Sequence, residues 1–341
     1  MKRALPLVLA SLALAPAAYA QAPTPPPPNP QPAPQPAPTP PPAPAPAPAP
    51  ADAKIAVRID SGLSDHARKY VLRGDKLVVR GRLKPYVAGQ TVLVELLRNG
   101  KRVGRATAKV RKVKGAGEFQ VALRLHRTGS LSVRATHKAT KKQKGAKSAK
   151  LHFTSIVPGA HAGSSGVNVR LLQDALARLH FVTSRGGHFD DATARALVAY
   201  RKVNGMARTS SATRSIFRRL FAGRGGFRLR YPSAGKHVEF DWSRQVLVLA
   251  NGGQPERIYH ASSGKPSTPT VFGTFRFYRK SPGTNAKGMV DSNYFIRGYA
   301  IHGYHDVPTY AASHGCIRVP IPNARSIYDW VSLGDRIFVY R

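Results

Sequence analysis

The sequence predicts a multidomain chain: a β-sandwich of immunoglobulin-like type, then a small three-helix domain, then a second, mostly β domain. Three observations predict this order. Residues 54–157 alternate apolar and polar side chains with period two, residues 166–222 carry apolar side chains at helical spacing, and residues 237–341 return to strand patterns. Six or more short strands within about 100 residues are typical of a sandwich.

The first twenty residues have the pattern of a secretory signal peptide. Lys2 and Arg3 precede an apolar stretch at 5–15, and Ala18-Tyr19-Ala20 is an A-x-A cleavage site. A membrane-spanning helix needs roughly 20 apolar residues, and no segment of the sequence is apolar for that long. We therefore expect residues 1–20 to be removed and the protein to be exported, with no transmembrane segment.

Residues 21–53 form a linker of proline, alanine and a few polar residues. Such a composition cannot bury a core and favours extended polyproline II structure. A spacer or a flexible tail are both compatible with it.

The sandwich is predicted from six segments with period-two alternation. They are 54–59, 76–83, 91–97, 105–110, 118–125 and 131–136. Asn99-Gly100 lies between two of these segments, 91–97 and 105–110, and favours a tight hairpin turn. Their outward positions are rich in Lys and Arg, and no catalytic arrangement is evident in this domain.

Three helices are predicted next. Apolar residues share one face of the first, over 167–181; Asp190 is the expected N-cap of the second, which ends at Gly205; the third covers 210–221. The stretches "VRLLQDALARLHF" and "FDDATARALVAYRKVNG" resemble the three-helix peptidoglycan-binding domains often attached to wall enzymes. The glycine-rich turn that such domains repeat is reduced here to "ARTSSAT", and a purely structural role is the alternative.

The last domain combines strands with one helix. Strands are predicted at 238–242, 245–250, 257–264, 273–280 and 336–340, and the helix at 322–331. Asn251-Gly252-Gly253 favours a hairpin between the second and third of these strands.

Charge indicates an anionic partner. Lys and Arg number 54 against 16 Asp and Glu, a formal net charge of +38 at pH 7. A charge of this size attracts polyanions. Because the protein is expected outside the membrane and none of the nucleic-acid-binding signatures is present, we expect anionic wall polymers rather than nucleic acid.

The one cysteine, Cys316 in "SHGCIR" (313–318), cannot form an intramolecular disulfide. It can be an inert buried thiol, a metal ligand or a nucleophile, and its polar and glycine neighbours favour an accessible thiol. A nucleophilic thiol needs a base to take its proton. His302, from a separate strand, is the candidate base, in preference to His314.

Supporting roles follow from neighbouring residues. Backbone N–H groups of the loop that holds Ser313, His314 and Gly315 can converge on a developing oxyanion, and Gly303 follows the expected base. Arg318 suits a substrate carboxylate or a structural ion pair.

A metal site is the competing interpretation of the same residues. His302, His305, His314 and Cys316 include an H-x-x-H and an H-x-C, and such sets bind zinc. No acidic base accompanies them, and tight ligation of the thiolate would remove the nucleophile. These points weigh against the metal site, which stays open as the alternative interpretation.

The segments "ASSGKPSTPTVFGTFRF" (261–277) and "YAIHGYHDVPTYAASHGCIRVP" (299–320) resemble the YkuD-type catalytic domain of the L,D-transpeptidases. The resemblance spans residues 237–341. It includes the TP-x-G-x-F hairpin, the His-Gly and the S-H-G-C-[IV]-R signature. An extra residue lies in "TPTVFGTF", and the distance from His-Gly to Ser-His-Gly-Cys is shorter than in many members.

The resemblance implies an enzyme of the cell wall or of the periplasmic or extracellular face of the envelope. Cys316 would attack a peptidoglycan tetrapeptide stem, release D-alanine and pass the acyl group to a second stem, and carbapenems would acylate the same sulfur. Water or a protein amine are alternative acceptors, and no metal or organic cofactor would be needed. A zinc-dependent wall peptidase and a non-catalytic wall-binding protein are the alternatives from other classes.

Overall fold

The structure, a computed structural model, describes residues 24–26, 48–65 and 68–341. The signal peptide predicted at 1–20 and most of the linker predicted at 21–53 lie outside the described residues. The chain divides into two units, 1–47 and 48–341. Everything below concerns the second unit.

The period-two segments after residue 53 form two packed sheets. The strands are β1 (Lys54–Ile59), β2 (Leu63–Asp65), β3 (Arg68–Leu72), β4 (Lys76–Lys84), β5 (Thr91–Arg98), β6 (Lys101–Lys109), β7 (Arg111–Val113), β8 (Ala116–Arg124), β9 (Gly129–His137), β10 (Ala146–Lys147) and β11 (Leu151–Ile156). One sheet has the order β1-β4-β8-β7, and the other β2-β3-β11-β9-β5-β6 with β10 paired to β9. Alternate side chains, such as Leu77 and Val79 of β4 and Val92 and Val94 of β5, are fully buried in the core of this region. The immunoglobulin-like topology itself stays a prediction.

The hairpin predicted at Asn99-Gly100 is confirmed. Both residues have positive φ, 48° and 76°, as a two-residue type I′ turn requires, and they connect β5 to its antiparallel partner β6.

Three helices follow: α1 (Val167–Arg178), α2 (Asp191–Val203) and α3 (Arg214–Phe221). The Asp190 carboxylate accepts a hydrogen bond from the Thr193 N–H at 2.8 Å, so the predicted N-cap of α2 is confirmed. The third helix begins four residues later than predicted. The reason is that Ala212 exchanges two backbone hydrogen bonds with Ala160, which holds this backbone extended until Thr213.

The helices share one apolar core with both neighbouring β regions. Leu63, Tyr70 and Leu72 of the sandwich and Val248 and Ile258 of the last domain lie in the same buried cluster as the helical side chains. The helical region is therefore packed between the two β regions.

The last region has ten elements. They are β12 (His237–Asp241), β13 (Val246–Asn251), β14 (Gln254–His260), β15 (Gly273–Arg276), β16 (Arg279–Thr284), β17 (Val290–Ile296), β18 (Tyr299–Tyr304), β19 (Ile317–Pro320), α4 (Ile321–Trp330) and β20 (Arg336–Tyr340). One sheet has the order β14-β13-β12-β20-β15 and the other β16-β17-β18-β19, with β19 parallel to β18.

The prediction of a single strand over residues 273–280 is wrong in its extent. It divides into β15, which pairs with β20, and β16, which pairs with β17 of the other sheet. The hairpin predicted at 251–253 is confirmed, with Gly252 and Gly253 at positive φ between β13 and β14. Within the described ranges, no helix has the length and apolar content needed to cross a bilayer.

Candidate active site

Cys316 directly precedes β19, and His302 lies on the neighbouring parallel strand β18. Ile301 pairs with Ile317 and His302 with Arg318, so Cys316, one residue before β19, comes opposite Ala300 of β18. Because successive side chains of a strand alternate between faces, Ala300, His302, Cys316 and Arg318 project from the same face of the sheet. The thiol and the imidazole are thus on adjacent strands, two positions apart.

The His302 ring is fixed in one tautomer. It is 3% exposed, and its Nδ1 lies 2.9 Å from the carbonyl oxygen of Gly303. A carbonyl only accepts, so Nδ1 carries the hydrogen and Nε2 carries the lone pair. Burial lowers the pKa of His302 to about 4. The ring is therefore neutral, and can accept a proton, at pH 7.

The Cys316 thiol is half-buried against Met289, Tyr294 and Ala300. Its sulfur donates to the carbonyl oxygen of Gly298 at 3.6 Å. Burial raises the pKa of the thiol, against the opposing effects of the Ala300 N–H and the Arg318 charge. The resting pair is a neutral thiol and a neutral imidazole rather than a thiolate and an imidazolium.

Ser313 closes the loop that carries the cysteine. Its buried hydroxyl donates to the Cys316 carbonyl at 2.6 Å and accepts from the Gly315 N–H at 3.1 Å. The Gly315 N–H, which the sequence suggested for an oxyanion, is thus bonded within the loop. Gly315 has φ +119°, and a Cβ there would lie 2.3 Å from the Tyr299 ring. Only glycine fits this position without displacing the ring.

Two threonines that sequence reasoning did not select hold the same loop. The Thr268 hydroxyl donates to the Ser313 carbonyl at 3.0 Å, and the Thr270 hydroxyl donates to the Gly315 carbonyl at 2.7 Å. Thr270 also accepts from the Gly264 N–H at 2.9 Å. Both lie in the segment "STPTVFG". Its resemblance to a family motif is the sequence signal that could have identified them.

The other predicted site residues differ in their surroundings. The Arg318 guanidinium lies 4.1 Å from the centre of the Tyr304 ring and 3.8 Å from an Asp306 carboxylate oxygen. The His314 ring is exposed, and the described residues offer it no hydrogen bond or ion pair. At Gly303 a Cβ would lie 2.7 Å from that of Ala324, so glycine lets α4 pack closely behind the base.

The residues of the alternative metal site do not form a ligand set. The His305 ring packs against Tyr304, with 4.3 Å between ring centres, and His302 uses Nδ1 on a carbonyl. Nowhere in residues 24–26, 48–65 and 68–341 do three or more His, Cys, Asp or Glu side chains converge as metal ligands would.

Lys202 of α2 contacts the last domain beside the loop that holds Cys316. It is 3% exposed, and its Nζ lies 3.0 Å from the Gln245 carbonyl, 2.9 Å from the Ala261 carbonyl and 2.8 Å from Nδ1 of His260. Nε2 of His260 donates to the Val307 carbonyl at 2.9 Å.

Counting donors fixes the charge of this buried pair. Four contacts must be satisfied, and two neutral groups would leave the lone pair of Nζ facing the lone pair of Nδ1. One added proton, on Lys202 or on His260, satisfies every contact. Burial lowers the pKa of both groups; the Arg208 charge lowers that of Lys202 further, and the Lys202 charge lowers that of His260 further. No sequence pattern distinguishes Lys202 from a surface lysine of α2.

Lys202 donates to Ala261, at the start of a segment that flanks the loop holding Cys316. After Ala261, Ser262 exchanges two backbone hydrogen bonds with Arg318, at 3.0 and 2.8 Å. The Ser263 carbonyl then accepts from the N–H groups of Ala312 and Ser313, both at 2.8 Å. The helical region therefore supports the backbone that positions Ser313 and Cys316.

Comparisons with known proteins agree with this geometry. Residues 235–339 match the YkuD family model, described as the L,D-transpeptidase catalytic domain. The solved L,D-transpeptidase (residues 123–326) from Xylanimonas cellulosilytica is 31% identical, with 54% of this chain and 98% of that chain covered and a TM-score of 0.51. An L,D-transpeptidase from Stackebrandtia nassauensis is 18% identical over 53% of this chain and 95% of that one, with a TM-score of 0.35. No curated protein sequence matches significantly.

Proposed function

Because the chain belongs to the L,D-transpeptidase family, we propose that it is a cysteine-dependent acyltransferase that cross-links peptidoglycan stems. The observation that carries the proposal is the SHGC loop. Ser313, Thr268 and Thr270 hold a partly accessible thiol on the same sheet face as an imidazole whose Nε2 is free to accept a proton.

In the first half-reaction Nε2 of His302 takes the thiol proton while Sγ of Cys316 bonds to the carbonyl carbon between the third residue and D-alanine of a tetrapeptide stem. The peptide C–N bond breaks, and His302 returns the proton to the departing amino group of D-alanine. A thioester remains on Cys316. Because the Gly315 N–H is bonded to Ser313, we assign the oxyanion to the backbone N–H groups of Cys316 and His314.

In the second half-reaction the side-chain amine of another stem attacks the thioester carbon. The carbon–sulfur bond breaks, and His302 transfers the proton lost by the amine to the sulfur. The products are a cross-link between the third residues of two stems and free enzyme. Water as acceptor would give an L,D-carboxypeptidase instead.

Arg318 has two roles open to it in this scheme. Its charge lies on the face of the sheet that holds Cys316, where it favours the thiolate and could bind a stem carboxylate. Its long contact with Asp306, 3.8 Å, leaves the guanidinium able to exchange partners.

We also propose the expected context. Export through the segment 1–20 would deliver the chain to the cell wall, where L,D-transpeptidases act. The domain limits 54–157, 166–222 and 237–341 stand as proposals, as does peptidoglycan binding by the helical region. N-terminal sequencing of the secreted protein would test cleavage after Ala20.

The direct test uses the purified mature protein and a disaccharide-tetrapeptide. We expect mass spectrometry to show loss of D-alanine, a cross-linked dimer, and an acyl adduct on Cys316. Carbapenem should form a stable adduct on the same residue, and Cys316→Ala should abolish all of these signals. A folded, reduced sample that gives neither D-alanine release nor either adduct would reject the proposal.

A further inference from the structure

The outward face of the four-stranded sheet β1-β4-β8-β7 is crowded with cations. We call it the basic face and define it by its exposed residues Lys54, Arg58, Lys76, Arg80, Arg82, Lys84, Arg111 and Arg124. The strand register assigns all of them to one side of the sheet, away from the apolar core.

The register sets like charges directly opposite one another. Lys54 pairs with Lys84 and Arg58 with Arg80 across β1 and β4, and Lys76 pairs with Arg124 across β4 and β8. Directly opposed like charges destabilise a sheet. An arrangement that costs stability in the free protein indicates a role for the face outside folding.

Internal carboxylates compensate only part of this charge. Asp60 bridges Arg58 at 2.9 Å and Arg80 at 2.7 Å, and Glu118 pairs with Arg82 at 2.9 Å. The eight cations of the basic face are thus set against two carboxylates in contact with them. The guanidinium groups of Arg58, Arg80 and Arg82 remain half or more exposed, at 71%, 54% and 67% of the side chain.

A groove of about 930 Å³ runs over the same strands. Arg58, Arg80, Arg82 and Arg111 line it, together with Lys109 from the end of β6. Arg80, Arg82 and Lys84 occupy successive outward positions of β4, about 7 Å apart, so charge recurs at a regular interval along this strand. This matches an extended chain of anions better than a single small ion.

We propose that the basic face binds a linear, phosphate-bearing polymer of the cell wall. Guanidinium groups bind phosphate oxygens through two parallel hydrogen bonds, and a phosphate between opposed arginines replaces their repulsion with attraction. No outward position of this face, among its described residues, is aromatic, so single-stranded nucleic acid finds no stacking surface. The inference goes beyond the proposed acyl transfer and does not depend on Cys316.

The test compares two triple variants of the mature chain that remove the same charge. One carries Arg58→Gln, Arg80→Gln and Arg82→Gln on the basic face. The matched control carries Lys101→Gln, Arg102→Gln and Arg105→Gln on β6 of the other sheet, where Arg102 likewise has a carboxylate partner, Glu95. Long-chain inorganic polyphosphate is the probe, titrated at low and at physiological salt.

We expect the basic-face variant to lose about tenfold or more in affinity for polyphosphate and to show a shallower salt dependence, since each lost phosphate contact reduces counterion release. The control should lose much less. Both variants should cleave soluble tetrapeptide like the parent, which separates a failure here from a failure of the proposed function.

Three results would overturn the inference. Equal losses in the two variants would assign binding to net charge rather than to this face. Equal affinity of the parent for inorganic phosphate and for the polymer would exclude recognition of a chain. Tighter binding to single-stranded DNA, or to vesicles of anionic phospholipid, than to polyphosphate would identify another class of partner.

Discussion

The two β regions of the molecule differ in how many ionisable side chains they bury. In the sandwich, the cations of β1, β4 and β8 lie outside and the space between the sheets is filled by apolar side chains. In the last domain, Glu239, Asp241, His260 and His302 are at most 7% exposed. A buried ionisable group needs hydrogen-bonding partners, so the second region has to be built around its polar contacts. Both regions have an apolar core, but the second also holds a larger set of buried ionisable side chains in place by hydrogen bonds.

Glu239 shows how many hydrogen bonds a buried carboxylate of the last domain requires. Burial alone would raise its pKa, yet hydrogen bonds from His237, Tyr340 and the N–H groups of Arg230 and Tyr231 hold the pKa below its usual value. The same burial raises the pKa of Tyr340. Every acceptor direction of this carboxylate is used, which is what a stable buried charge requires.

The largest effect should come from the buried base. His302→Ala removes the proposed proton acceptor, and we expect carbapenem acylation of Cys316 to slow by about 10²–10⁴-fold. The rate of adduct formation by mass spectrometry measures it, with circular dichroism to verify folding. His314→Ala, at an exposed position of the same loop, is the matched control. A larger loss from His314→Ala than from His302→Ala would reverse the assignment of the base.

The pH dependence of alkylation should show that Cys316 and His302 are both neutral near pH 7. Because the pKa of Cys316 is raised and that of His302 is lowered to about 4, the thiolate fraction at pH 6–7 is small. Iodoacetamide should therefore react with Cys316 about tenfold faster per pH unit, up to at least the usual thiol pKa of about 8.5. A rate that stays level between pH 5 and 7 would instead indicate a thiolate–imidazolium pair.

The next effect concerns the contact between the helices and the last domain. Lys202→Met leaves two carbonyls and a histidine nitrogen without their donor, and we expect a loss of about 3 kcal/mol in the free energy of unfolding. Acylation of Cys316 should also slow, since the backbone beside Ser313 loses its support. Chemical denaturation and carbapenem acylation measure the two effects.

The neighbouring arginine supplies the control for that experiment. Arg201 is also buried, but it donates to the Ala207 and Ser211 carbonyls, both outside the last domain. Arg201→Met should lower stability and leave the acylation rate of the folded protein unchanged. If both variants slow acylation alike, the lysine has no specific part in positioning the loop.

The smallest effect should come from the outside of the sandwich. Arg58→Gln weakens one ion pair to Asp60 but removes repulsion from Arg80, and exposed ion pairs contribute little. We expect the free energy of unfolding to change by less than about 0.5 kcal/mol, with a small gain at low salt. A clear destabilisation would show that the basic face contributes to folding after all.

The same contrast explains what could be predicted from sequence. Strand β1 and strand β20 were predicted with their bounds, and the turn at Asn99-Gly100 was predicted from its residues, because apolar alternation and turn chemistry are local signals. The cysteine and the histidine were selected by their chemistry and family resemblance. Their roles stay predictions.

Part of what was missed lies where polar residues are inside, although strands β3 and β11 of the sandwich were also not predicted. Strand β17 buries Asp291, Ser292 and Asn293, so its sequence lacks the apolar pattern of a strand and was not predicted. Lys202 was missed for the same reason, since its partners come from a segment more than 40 residues away. Long-range hydrogen bonds leave no periodic trace in a sequence.

The helices share an apolar core with the sandwich and with the sheet β14-β13-β12-β20-β15, and this core sets a limit on how small a stable fragment of the protein can be. A fragment cut to residues 235–339 would expose Val246, Val248 and Ile258 to solvent and would leave the imidazole of His260 without its partner Lys202. We therefore expect a stable fragment to need the helical region in addition to residues 235–339, which match the family model.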